Sequence, residues 1–217
     1  EIPEVARLTA EQASDLARTG FIDLLGCETD PDSIEYRDQL FAWFSYQSDR
    51  IPQYIQELCL YVACEAEKNN WKINDPIAID GIKEWVKSSL VKDITRVESN
   101  LNSIATKIGR RNQVIYCLGL CNKYDFSKQD IEILLKSTFS ESSKGVALNI
   151  AQILADLSSS LHPIITKSPS NNCYRFIDPK FRIVVRWLLF KRKDSEEVLL
   201  RDFDNALSLW SKNSRKI

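Results

Sequence analysis

The six glycines of this 217-residue chain, at positions 20, 26, 81, 109, 119 and 145, form neither a GxxxxGK(S/T) loop nor a GxGxxG turn. Those motifs bring consecutive backbone N–H groups close to phosphate oxygens, so without them this polypeptide alone cannot cradle a triphosphate. The one histidine, His162, precedes Pro163 in an expected turn. Neither a Ser-His-Asp triad nor a histidine-based metal site can be assembled around it. The six cysteines, at 27, 59, 64, 117, 121 and 173, include no CxxC pair. Cys117 and Cys121 stand one helical turn apart and could share a ligand, but with no second pair the pattern points to reduced, structural thiols. No catalytic and no metal-binding residue is assigned. The side chains left for recognition are cationic: Arg50, directly before Ile51 and Pro52, and Arg110, Arg111, Lys144, Lys167 and Arg175. Each can make charge-assisted hydrogen bonds to phosphate.

The elements that must position these groups read as helices with short links. Only 6 Gly and 7 Pro among 44% hydrophobic residues favour a mainly α-helical fold with packed cores. Thr9 and Gln12 form a capping box for a first helix that Gly20 closes. A second helix is expected over about Ile34 to Tyr46, with Ile34, Leu40, Phe41 and Phe44 as its apolar stripe. The third starts at Pro52, a favoured first helical position, and aligns Ile55, Leu58, Cys59, Val62 and Ala66. A fourth runs from about Ala78 to Leu90 and continues irregularly toward Asn100. These four helices make a compact bundle over residues 1–95.

Residues 96–190 follow a different plan. A helix through Arg111 to Lys123, a turn at Tyr124 to Phe126 and a second helix capped by Ser127 open a helix-turn-helix. The next helix, about Ser143 to Ser159, occupies the recognition position. Two short β-prone runs, Ile164 to Lys167 and Cys173 to Ile177, flank a Pro/Ser/Asn loop and predict a hairpin. Asp178 then stands as N-cap and Pro179 as the first residue of an apolar helix. Helix, helix, helix, hairpin, helix is a winged-helix order. Residues 191–217 are expected to form a C-terminal amphipathic helix through Val198, Leu199, Phe203, Leu207 and Trp210.

Charge is distributed unevenly along the chain. Residues 1–90 carry 8 Lys+Arg against 17 Asp+Glu, a balance of −9, and residues 91–217 carry 21 against 13, a balance of +8. Mutual docking of the halves and a basic face for nucleic acid both fit this asymmetry. The most apolar run, Ile183 to Phe190, is too short to span a bilayer and contains Arg186. A soluble, cytoplasmic protein without membrane contact is expected. Glu1 opens the chain and no Met occurs, so the natural start is expected upstream.

Three segments carry a family resemblance. Arg7-Leu8-Thr9-Ala10-Glu11-Gln12-Ala13 is similar to the point where P-loop ATPases of the AAA+ and STAND type leave the ATPase core and enter a helical lid. Arg50-Ile51-Pro52-Gln53-Tyr54-Ile55-Gln56-Glu57-Leu58 resembles the lid helix whose Gly-x-Pro-like start lies beside the nucleotide. Tyr174 to Arg182 resembles the strand-to-helix ending of their winged helix. The likeness covers nearly all residues in element order. It implies that Pro52 sits close to adenine, that Arg50 senses phosphate, and that ATP and Mg are bound by an ATPase core supplied outside this chain. Arg50 departs from the glycine of the pattern. Read without the resemblance, Pro52 initiates a helix and Arg50 is a surface charge.

Three functions follow from this reading. The first is a regulatory lid and winged-helix portion of such an ATPase, relaying nucleotide state to DNA or a protein partner. The second is a freestanding winged-helix nucleic-acid binder with a helical dimerisation domain. The third is a protein-binding helical adaptor. Sequence-specific DNA readout is disfavoured, because the recognition segment has Lys144 as its one basic residue. Backbone contact through Arg110, Arg111, Lys144, Lys167 and Arg175 remains open.

Overall fold

The computed structural model describes residues 7–102, 109–168 and 172–201. It is mainly helical, with ten α-helices and three two-stranded sheets among the described residues. These residues divide into two compact units, 7–89 and 90–201. The division falls after Ser89, ahead of the boundary expected at residue 95.

In the first unit, α1 (Ala10–Arg18) begins with the expected capping box, in which Thr9 Oγ1 accepts from the Gln12 N–H and Gln12 Oε1 from the Thr9 N–H. Gly20 does not end it. The helix widens into a π-helical turn, Thr19–Leu24, and the terminating left-handed glycine is Gly26, at φ 64°. Helix α2 (Ile34–Gln47) then returns along α1, and Phe21, Phe41 and Phe44 meet with ring centroids 5.8–6.1 Å apart. Helix α3 (Pro52–Lys68) starts at the proline as expected. It packs on α4 (Asp75–Ser89) through Leu58, Val62 and Ala66 against Ala78, Ile82 and Trp85, all fully buried. Gly81 permits this approach, since a Cβ there would stand 2.5 Å from Val62 Cα. Two short parallel strands, β1 (Glu28–Thr29) and β2 (Lys72–Ile73), join the two helix pairs. They are too short to carry a period-two signal.

The second unit opens with α5 (Val91–Glu98), a separate helix and not the irregular tail of α4. Helices α6 (Arg110–Leu120) and α7 (Lys128–Thr138) flank a turn, and α7 carries a capping box between Ser127 and Asp130. The helix expected over Ser143 to Ser159 is corrected to two pieces, α8 (Ser140–Ser143) and α9 (Ile150–Ser159). Gly145 and Asn149 both adopt left-handed conformations, at φ 64° and 51°, which the helical ladder cannot accommodate between those pieces.

Strands β3 (Ile165–Lys167) and β4 (Tyr174–Phe176) pair antiparallel, as the alternation predicts. Phe126, in the α6–α7 turn, adds to the other edge of β4 through reciprocal N–H to carbonyl bonds with Tyr174, both 2.8 Å. Helix α10 (Lys180–Leu188) starts one residue later than expected, and the Asp178 carboxylate still caps it by accepting from the Lys180 N–H (2.8 Å). It is buried almost all round. Its Arg182 and Arg186 donate to the carbonyls of Lys123 and Gly119 at the end of α6, at 2.5 and 2.8 Å.

The C-terminal helix expected from residue 191 is corrected over its described part. Strands β5 (Leu189–Lys191) and β6 (Val198–Leu200) form an antiparallel hairpin. Leu189, Phe190, Val198, Leu199 and Leu200 supply the β-prone apolar runs, and Asp194-Ser195 lies in the intervening turn. Phe203, Leu207 and Trp210 lie outside the described residues.

Candidate functional site

The turn between α2 and α3 brings together Arg50, Ile51 and Pro52. Asp49 and Arg50 both occupy the left-handed region, at φ 54° and 59°. Aspartate tolerates that conformation better than arginine, whose Cβ makes it costly by roughly 1–2 kcal/mol. The turn is compensated by its surroundings. The Arg50 N–H donates to the Ser45 carbonyl (3.1 Å) and the Arg50 carbonyl accepts from the Leu8 N–H (3.0 Å). The Asp49 carboxylate, 2% exposed, pairs with Arg7 at 2.6 Å. Ser45 Oγ reaches the Ala10 carbonyl at 3.4 Å, and Ser48 Oγ bonds the carbonyls of Phe44 and Ser45. Gln47 is also buried, with its Oε1 lacking a partner among the described residues.

Helix α3 therefore starts in a polar setting, and its N-cap residue provides no side-chain cap. Ile51, its N-cap, supplies no side-chain acceptor, and Pro52 has no N–H to satisfy. The remaining first-turn N–H groups favour negative charge through the helix dipole. Arg50 is half-buried and makes no side-chain hydrogen bond or ion pair among the described residues. An open helix start beside an uncommitted guanidinium can receive an anionic or acceptor-rich group.

The five proposed phosphate contacts do not share one setting. Arg110 turns inward, donating to Gln113 Oε1 (2.9 Å) and the Ser142 carbonyl (2.5 Å), and burial pushes its pKa down. Arg111 is likewise committed, with Nε 2.6 Å from the Asn100 carbonyl. Asn100 is itself a buried hub that donates to the carbonyls of Arg96 and His162. His162 lies in the turn between α9 and β3, as expected. Lys144 is exposed and pairs with Glu141 at 2.7 Å. Lys167 and Arg175 remain on the β3–β4 hairpin. Their register, Lys167 opposite Tyr174 and Thr166 opposite Arg175, sends the two side chains to opposite faces. Arg175 lies 5.9 Å over the Tyr124 ring. The side chains Ala151, Gln152, Ala155 and Ser159 form the exposed face of α9, where no base is available to grip phosphate.

Sequence reasoning missed Arg7 and Asp49 as a pair. A separation of 42 positions carries no sequence pattern. It also missed the Glu196 clasp, in which the Glu196 carboxylate accepts from the Ser142 N–H and hydroxyl at 3.2 and 2.7 Å. Cys117 and Cys121 are both buried; desolvation pushes the Cys117 thiol up to about 12 and raises that of Cys121. This disfavours the thiolates that a metal would need. No cluster of three or more metal-ligating side chains occurs among the described residues, and none of their helices is long and apolar enough to cross a membrane.

Comparison with protein-family models, with curated proteins and with solved structures finds no match to the chain.

Proposed function

We propose that the chain is the helical lid and winged-helix portion of a P-loop ATPase of the AAA+ or STAND type. It couples the nucleotide state of an ATPase core to binding of DNA or a protein partner. One observation carries this reading: Arg50 stands at φ 59°, in the conformation that glycine favours, directly before Ile51 and Pro52 at an open helix start. The departure from the family's Gly-x-Pro-like start is thus a change of side chain with the glycine-like backbone retained. Pro52 and Ile51 would face the base and Arg50 the phosphates. ATP and Mg would be held mainly by the core, since this chain lacks a phosphate loop. The order α6, α7, α9, hairpin, α10, with Phe126 extending the sheet beyond β4, supports the winged-helix assignment for the second unit.

Titration of the complete polypeptide with a fluorescent ADP analogue tests the reading. Arg50→Ala should weaken binding about tenfold, the scale of one charge-assisted hydrogen bond. Absence of binding, or an unchanged affinity in a folded Arg50→Ala variant, would overturn it.

The exposed lysines favour nucleic-acid backbone contact as the partner mode of the second unit. With Arg110 and Arg111 committed inward, three candidates remain: Lys144, Lys167 and Arg175. Lys167 and Arg175 lie on opposite faces of the hairpin, so at most two of the three meet one phosphate backbone, and the slope of log K against log salt is expected at about −1.8, shallower than the roughly −4.5 of all five. A salt-insensitive titration removes this mode and leaves a protein partner.

A further inference from the structure

We infer that Arg7 and Asp49 are positioning residues that hold the α2–α3 turn in its left-handed form, so that the segment 7–10 governs the geometry of the α3 start. The inference rests on the reading of that start as nucleotide-facing. Three successive bonds tie the segment down: Arg7 to the Asp49 carboxylate at 2.6 Å, the Leu8 N–H to the Arg50 carbonyl at 3.0 Å, and the Ala10 carbonyl to Ser45 Oγ at 3.4 Å. Two of them land on the two residues whose backbone is left-handed. A second turn shows what the backbone requires by itself. After α3, Asn70 and Trp71 take the same pair of conformations, at φ 57° and 59°, with the Trp71 N–H reaching back five residues to Ala66 as Arg50 reaches back to Ser45. That turn is exposed, and its left-handed pair begins with asparagine, a residue suited to the conformation.

At the α2–α3 turn an arginine occupies the second left-handed position, and the turn is buried under the strap. Strain that the surroundings over-determine is released when they are removed. Loss of the Arg7–Asp49 pair therefore frees Arg50 to leave its conformation, which re-aims Ile51 and Pro52. The strap is needed in proportion to that strain. A residue with no Cβ at position 50 makes it dispensable.

The test compares Arg7→Ala, Arg7→Lys, Arg50→Gly and the Arg7→Ala/Arg50→Gly double variant of the complete polypeptide. Amide hydrogen exchange is measured at Leu8 and Arg50 without nucleotide, followed by titration with the fluorescent ADP analogue. Arg7→Ala should speed exchange at both amides about tenfold, leave Val62 in the core unchanged, and weaken ADP binding. Arg7→Lys should restore most of both properties. In the Arg50→Gly background, Arg7→Ala should change exchange at position 50 by less than twofold. An equal effect of Arg7→Ala in both backgrounds, or unchanged exchange at Arg50, overturns the positioning role. Absence of ADP binding in every variant overturns the nucleotide reading alone, because the exchange measurements decide the positioning role without nucleotide.

Discussion

Helices α3 and α7 both follow a turn from the preceding helix, and their first turns are finished in different ways. At α7 the sequence supplies its own cap: Ser127 and Asp130 satisfy each other's backbone N–H groups, and Lys123 pairs with Asp130 at 2.6 Å. At α3 the residues nearest the start offer no cap. The stabilising groups, Arg7 and Leu8, come from more than forty positions away and hold the turn in place. A self-capped start closes its N–H groups to other ligands, whereas an open start held by distant groups remains available. The contrast separates a helix start finished by its own residues from one whose turn is held by distant ones.

The largest effect should come from Asp49→Ala. Removing a carboxylate that is 2% exposed and paired with Arg7 should cost about 3 kcal/mol in urea denaturation. A cost no greater than that of losing the α7 cap would break the comparison. Asp130→Ala should cost about 1 kcal/mol, the usual value of a cap. Its pH dependence is diagnostic. The hydrogen bond from Lys123, then the Ser127 N–H, hold the Asp130 carboxyl down at about 2, below its ordinary 3.8. A lowered folded value means the stabilisation is complete above 3.8 and is lost as pH falls toward about 2. The difference in thermal midpoint between wild type and Asp130→Ala should therefore shrink over that window and stay constant from pH 5 to 7. The smallest effect belongs to Asn70→Gly. Relief of a left-handed asparagine in an exposed turn should stabilise the chain by a few tenths of a kcal/mol, about 0.5 at most. A larger gain would show that backbone strain alone, without a strap, dominates such turns.

Much of the scaffold was legible because it rests on local chemistry. Thr9 with Gln12, Ser127 with its following turn, Pro52 at a helix start and the alternation of Tyr174-Arg175-Phe176 each act within a few residues. What escaped depends on distant partners or on conformations outside the usual menu. Residues 144–149 continue an apolar pattern into α9, but the left-handed Gly145 and Asn149 break the helix there. Val198 and Leu199 fit a helix stripe as well as a strand; pairing with Leu189–Lys191 decides in favour of the strand. The same limit applies to the site. Arg50 and Pro52 could be marked from their order, but Arg7 and Asp49 meet only after the chain has folded. The inward commitment of Arg110 and Arg111 depends on Ser142 and Asn100, which no spacing rule connects to them.

The close approach at Gly81 gives the α3 start mechanical reach. With no Cβ between Gly81 and Val62, the backbones of α3 and α4 are too near to slide independently, so the two helices turn as one lever. Helix α3 has 17 residues, a length of about 25 Å. A tilt of about 5° pivoting at Pro52 would carry its far end, and the exposed Asn70-Trp71 turn beyond it, through about 2 Å. A small re-aiming beside Arg50 would thus arrive enlarged at a surface about five helical turns away, where a neighbouring molecule could read it.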